Sequence, residues 1–551
     1  MTVEPEELME DLDCIAGARL SVKTPRQEKR SMVFTYSFDP DQDTKLREKD
    51  RVYAVPSTVA TFEIVRFDQG GELEVKIGIA KLDAVFGGTP PAITSFIPNE
   101  NVPDNKLRDS VQQVIDTWVK EGVMPPALGN FLRREPPRIK GGAPLSKAGE
   151  DIKAAAIRCA LNMRDSTLCL QGPPGTGNTT TASAMILALV GAGKSVGITS
   201  NSHKAIENLL RACVKAGGAG FRALKVGDDP MADCRPQIVH SDNTNARGQF
   251  AGGVVGGTAW LFSRPEWVGE LDHLFVDEAG QVSLGNLVAM SRSADNIVLL
   301  GDQMQLEQPI QGSHPGETGQ SALNYYLQDH ATIPDDLGLF LPVTYRLPPG
   351  ICQFISEMIY EGRLKPAPAN ANRRIASKGK PEGAITQESG LAFLPVSHEG
   401  NVQASEEEAD AIRTLISQLV KRTKIDDAGK PAGPLRPQDI MVVAPYNMQV
   451  RRLREQLPAG VRVASVDKFQ GQEAEVVIFS MCSSFGEYGS RGLAFILDQN
   501  RLNVAISRAR TLAVVVGDPR IATSGAGSIP EMRRLNLYCR LVQDYCVTRR
   551  A

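Results

Sequence analysis

The most chemically specific stretch of the chain is Gly172-Pro173-Pro174-Gly175-Thr176-Gly177-Asn178-Thr179, with Thr180 next. It follows the apolar run STLCLQ and precedes TTASAMILALV, so strand, loop and helix stand in the order that cradles phosphate. The glycines let backbone N–H groups turn inward, and the helix N-terminus adds its partial positive charge. Thr179 is the residue type that holds Mg²⁺ at this position, and the whole loop is expected to bind ATP. A glycine-rich turn that merely joins strand to helix would not need Thr-Thr in this register. One position departs from the pattern GxxxxGK[ST]: Asn178 stands where lysine would. Asparagine is shorter and neutral, so it cannot neutralise charge between the β- and γ-phosphates. Losing one preorganised stabiliser costs about 10²–10³-fold in rate. The chain is therefore expected to bind nucleotide weakly and hydrolyse it poorly, through a point change, natural or engineered, on an otherwise intact scaffold.

A second constellation is Asp277-Glu278, which ends the apolar run HLFV. Asp277 suits Mg²⁺, directly or through water, and Glu278 suits polarisation of an attacking water. An acidic pair after a buried strand can equally be a solvated turn, and the phosphate loop upstream tips the balance toward chemistry.

The segments DEAGQ, GDQMQLEQP, VTYRLP, VDKFQGQEAEVVIFS and NVAISRAR then occur in an order that resembles superfamily 1B helicases, in particular the Upf1 and Dna2 group. ITSNSHKAIENLL further resembles the helicase half of bacterial fusions with a RecB-like nuclease. The resemblance covers about residues 145–520 and implies the following roles. Gln305 is the γ-phosphate-sensing glutamine, whose amide both donates and accepts. Tyr345 stacks on the base. Arg346 and Arg508 are arginine fingers, since guanidinium forks fit phosphate oxygens. Gly471 and Glu473 match the QGxE motif that touches nucleotide. Arg510 has less motif support, and a surface salt bridge is the commoner fate of an arginine. Where the family places an adenine-reading glutamine this chain has Lys153, so adenine selectivity is not assured.

The same resemblance implies a grip on single-stranded nucleic acid by Ser200, Asn201 and His203 at the start of a helix, by Thr258, and by Pro445-Tyr446. Hydroxyls, an amide and a helix N-terminus suit phosphate, although Ser and Asn are also good helix caps. Trp260 and Tyr446 are candidates to stack on bases, but an aromatic is more often buried.

These residues need elements to position them. Residues 1–140 contain short alternating segments, RSMVFTYSF, DRVYAVP, TFEIVRF and ELEVKIGIAKL, separated by Asp, Gly and Pro. They predict an N-terminal β-rich accessory module, followed by a helix near Lys106–Glu121. Arg134–Pro144 reads as a basic linker, and Arg133–Lys140 either touches nucleic acid or is simply solvated. From there apolar strands alternate with amphipathic helices in two series. The first is STLCLQ, SVGITS, GVVGGTAW, HLFVDE and NIVLLGD; the second is LAFLPV, DIMVVAPYN, RVASVD, EVVIFSM and LAVVVGD. The fold class expected is α/β, with two tandem RecA-like parallel-sheet domains at residues 141–335 and 336–551.

Bulk properties agree with a globular protein. The 551 residues are 42% hydrophobic and 23% charged, with a formal net charge of −3. A passive nucleic-acid coat would be more basic. No apolar run approaches the ~20 residues that span a bilayer. The acidic N-terminus does not resemble a secretory leader, and none of the nine cysteines forms a CxxC pair. A cytoplasmic protein is expected. The function implied is an ATP- and Mg²⁺-dependent translocase on single strands, DNA ahead of RNA, with 5′ to 3′ polarity. The alternative is a nucleic-acid clamp that does not unwind. No carboxylate-plus-lysine nuclease cluster is visible, so a nuclease would lie on another segment or chain.

Overall fold

The structure, a computed structural model, describes residue 8 and residues 13–546 apart from 41, 43, 45, 69, 100–103, 228–229, 307–313, 378, 380–382, 470 and 487–491. Two parallel sheets and one antiparallel sheet organise it. The first parallel sheet has eight strands. Their spatial order is Ile238–Ser241, Ala223–Val226, Val254–Gly256, Val196–Thr199, Leu271–Val276, Ala294–Gly301, Thr167–Gln171 and Gly338–Phe340. The central strands are covered on both faces by helices, which is why they read as largely apolar stretches. The second has five strands, in the order Gly390–Pro395, Ala509–Gly517, Ala474–Ser480, Ile440–Ala444 and Arg462–Ser465. The α/β class with two tandem parallel-sheet cores is therefore present.

The N-terminal sheet is antiparallel and closes on itself. Ile15–Leu20 pairs with Ile93–Pro98 on one side and with Ser31–Ser37 on the other. Alternation along these strands sends Val52, Phe62, Ile64, Val75 and Phe96 into the barrel interior. A closed barrel leaves few free edges, and the alternating segments in the sequence carry that pattern.

Two features depart from the expected layout. The first sheet's edge strand, Gly338–Phe340, pairs with Thr167–Gln171 although it lies beyond residue 335. Helices Asn105–Glu121 and Pro126–Leu132, within the expected accessory segment, belong to the first parallel-sheet core. Leu107, Val114, Leu128 and Phe131 share that core with Leu287 and Met290, and Ser110 Oγ donates to Ala289 O at 2.7 Å. The basic linker is clamped onto the same core. Arg134 lies 4.0 Å from the Tyr325 ring centroid and pairs with Glu317 at 3.1 Å; Arg138 donates to Asp165 O at 3.0 Å. The barrel also meets the second lobe, where Arg451 Nη1 and Asp39 Oδ2 are 3.0 Å apart.

Candidate nucleotide and strand site

The phosphate loop joins Thr167–Gln171 to helix Asn178–Gly191. Gly175 and Gly177 have φ of +76° and +87°, a region open to glycine at little cost. Thr176 Oγ1 donates to Pro173 O at 2.7 Å and tightens the turn. The segment Thr344–Arg346 closes over the loop: Thr344 Oγ1 donates to Pro174 O at 2.8 Å and Tyr345 N to Gly175 O at 2.8 Å. A Cβ on residue 175 would stand 2.4 Å from Arg346 Cβ. Glycine there is what allows this close approach.

Asn178 does not extend from the loop. Its Nδ2 donates to Gly172 O at 2.9 Å, and a Cβ on residue 172 would fall 1.3 Å from Asn178 Oδ1. The amide is folded back over the first residue of the cradle. Its Oδ1 is buried with no hydrogen-bond donor, which costs about 1–3 kcal/mol. Thr179 and Thr180 are exposed on the first helical turn.

Asp277 and Glu278 leave the strand Leu271–Val276 in a sharp turn. Glu278 has φ +52°, uncommon for a residue with a side chain. Asp277 N donates to Thr199 O at 2.8 Å, and Glu278 N to Asp277 Oδ1 at 3.0 Å. Burial, and then the charge of Glu278, push the Asp277 carboxyl up to about 7. Burial also raises Glu278; Arg508 opposes that shift and Asp302 adds to it. Carboxylate oxygens are donors of the kind a hard divalent cation takes.

Arg508 is 2% exposed and reaches the same place. Its Nη2 donates to Gln305 Oε1 at 3.0 Å and its Nε to Val504 O at 3.1 Å. Burial, and then the Arg346 charge, lower its guanidinium to about 9. Gln305 Nε2 donates in turn to Asp302 Oδ2 at 3.1 Å. Arg346 Nε donates to Glu473 Oε2 at 2.9 Å, and Glu473 also pairs with Arg510 at 3.4 Å. Gly471 is exposed with φ +76°. Tyr345 is 64% exposed, so its ring face is open. Lys153 is exposed near the start of helix Ile152–Asn162.

At the strand-gripping positions the picture is mixed. Ser200 is buried, and Asn201 Nδ2 donates to Gln281 O. His203 opens helix His203–Gly217, with its ring against Gly227. Thr258 precedes helix Ala259–Phe262. Pro445 and Tyr446 are buried. The Tyr446 ring packs 5.2 Å from Phe495, centroid to centroid, so base stacking by Tyr446 does not hold in this conformation. Trp260 is partly buried against the core. Sequence reasoning missed Asp302, whose place in GDQMQ was a signal, and Tyr360 and Asn503, for which no local signal exists.

Paired parallel sheets, a glycine-rich loop between strand and helix, an acidic pair and nearby arginines are the layout of a P-loop nucleoside-triphosphatase. Two AAA domain models match, AAA_30 over residues 150–318 and AAA_12 over residues 319–520. In sequence it is similar to Dna2 helicase/nucleases and to SMUBP-2. It is 29% identical over 476 residues to the DNA replication ATP-dependent helicase/nuclease DNA2 of Gallus gallus, covering 81% of this chain and 43% of that one. It is 27% identical over 450 residues to the DNA-binding protein SMUBP-2 of Mesocricetus auratus, covering 67% and 43%. This chain thus spans less than half the length of either relative. Among solved structures, an arterivirus nonstructural protein 10 helicase aligns with 88% of this chain and 76% of its own, at 16% identity and a TM-score of 0.40.

Proposed function

We propose that this chain is an ATP-dependent translocase on single-stranded nucleic acid, DNA in preference to RNA, moving 5′ to 3′, with hydrolysis held low by Asn178. The observation that carries the reading is the Arg508 Nη2 to Gln305 Oε1 bond of 3.0 Å. It joins the helix Gln499–Ser507 region to the first lobe beside Glu278. A triphosphate in the loop would draw Arg346 and Arg508 onto its oxygens, closing the lobes, and its loss would let them part. Glu278 would take up the proton of the attacking water, and Gln305 would orient that water. Mg²⁺, held by Thr179 and Asp277, would neutralise phosphate charge. Asn201, His203 and Thr258 supply polar groups for a strand backbone, while Ser200 is buried. The names of the chicken and hamster relatives, which mention DNA, support the preference for DNA.

The second reading, a clamp that grips a strand without unwinding, is favoured by one observation: the Asn178 amide folded onto Gly172. An ATPase assay with single-stranded DNA, single-stranded RNA or neither separates the two, run on this chain, on Asn178→Lys and on Glu278→Gln. Strand-stimulated turnover in Asn178→Lys supports the motor. Strand binding without it supports the clamp.

A further inference from the structure

Gln305 and Arg508 sit on separate elements and meet in one direct bond of 3.0 Å. A buried network behind them backs that bond. Asp302 is its hub, accepting from Gln305 Nε2 at 3.1 Å, Met304 N at 3.2 Å and Tyr360 Oη at 2.6 Å. Tyr360 Oη also accepts from Asn503 Nδ2 at 2.8 Å. Asn503 Nδ2 reaches Met304 O at 2.7 Å, and Asn500 Nδ2 reaches Gln303 O at 3.4 Å. Tyr360 and Asn503 have no measurable exposure, so no solvent substitutes for a lost bond.

The network joins three segments at one hydroxyl. Asn503 lies on helix Gln499–Ser507, which ends at Arg508, and the Arg508 side chain is tied to that helix by Val504 O. Asp302 begins the loop that carries Gln305. Tyr360 caps helix Pro349–Ile359, whose start directly follows Tyr345-Arg346-Leu347. Movement of the helix that carries Asn503 against the Asp302 loop therefore strains the bonds of the Tyr360 hydroxyl. Gln305 and Tyr360 bond the same Asp302 oxygen, so losing one changes the hold on the other.

We infer that Tyr360 and Asn503 are positioning residues that couple nucleotide occupancy to strand affinity by locking Gln305 and Arg508 together. The inference rests on the motor reading above. Neither residue bonds to the phosphate loop. Removing the hydroxyl should therefore loosen communication between the two ligands while each still binds alone.

The test measures the affinity of a fluorescein-labelled oligothymidylate with and without a non-hydrolysable ATP analogue and Mg²⁺, in the native chain and in Asn178→Lys. The ratio of the two affinities is the coupling factor. In Tyr360→Phe on either background it should fall at least about fivefold, or to unity if it is smaller than that. Asn503→Ala should behave likewise, and the double variant should be no worse than the stronger single one. Tyr326→Phe is the control for loss of a buried hydroxyl; its bonds run to Glu135 O and Leu337 O, away from this network. Coupling that survives Tyr360→Phe, an equal loss in Tyr326→Phe, or additive singles would overturn the positioning role and leave the motor reading standing. Absence of coupling in Asn178→Lys itself would instead overturn the motor reading, and the positioning role with it.

Discussion

Replacing Asn178 with lysine should raise strand-stimulated ATP turnover by about 10²–10³-fold, equivalent to about 2.7–4 kcal/mol of transition-state stabilisation. The magnitude follows from comparing two effects at one position. On the structural side, the substitution breaks the Nδ2 bond to Gly172 O at 2.9 Å, a loss of about 0.5–1.5 kcal/mol. It also removes the orphaned Oδ1, which returns about 1–3 kcal/mol. These nearly cancel, so the loop should keep its shape. On the electrostatic side, a cation joins Arg346 and Arg508 in a site that also holds carboxylates, and it acts on charge that develops only in the transition state. Phosphate release at saturating ATP, with and without single-stranded DNA, reads the change directly. Asn178→Ala sharpens the comparison because it removes the amide from the cradle without adding charge. Nucleotide binding should then tighten while turnover stays low. Equal turnover in the native chain and in Asn178→Lys would refute the charge argument, and Asn178→Ala matching Asn178→Lys would replace it with a steric one.

Glu278→Gln on the Asn178→Lys background should lower turnover by at least about 10²-fold while nucleotide still binds, as read by phosphate release beside a fluorescent-nucleotide titration. Arg508→Ala on that background should cost a comparable factor, about 10³-fold, again by phosphate release; unchanged rates would remove Arg508 from the site. The Asp277 carboxyl, raised to about 7 in the fold, is ionised only above that value. Its own contribution to stability is fully present below its ordinary value of 3.8 and lost as pH rises through about 7, whereas Mg²⁺ needs the ionised form. Thermal stabilisation by Mg²⁺ with nucleotide should therefore be larger near pH 8 than near pH 6, and a flat profile would count against Asp277 as ligand. Tyr446→Ala should lower stability by about 3–5 kcal/mol, seen as a fall in Tm, while Tyr446→Phe should leave strand affinity unchanged.

The strands that carry chemistry were legible because burial on both faces favours short, largely apolar stretches, such as residues 168–170 and 274–276. Their loops were legible because phosphate and metal chemistry restricts residue types at fixed offsets. Ala223–Val226 was not, since its Lys225, wholly buried and paired with Glu207 at 2.8 Å, interrupts the apolar pattern. Gly338–Phe340 is only three residues long, too short for any periodicity. The packing of Asn105–Glu121 onto the first core depends on a partner surface far along the chain, around Leu287 and Met290. The burial of Tyr446 and the Asp302–Tyr360–Asn503 network share that difficulty: each joins segments distant in sequence, and nothing in the local spacing marks them.

The ion pair between Asp39 and Arg451 ties the barrel to the second lobe. The helix Asn105–Glu121, which follows the barrel in the chain, is seated in the first lobe by apolar burial, whereas the second lobe meets the barrel by a half-open charge pair. Such pairs contribute about 0.2–1 kcal/mol, far less than the seated helix. The charge pair is therefore the weaker of these two attachments, and raising the ionic strength would weaken it further.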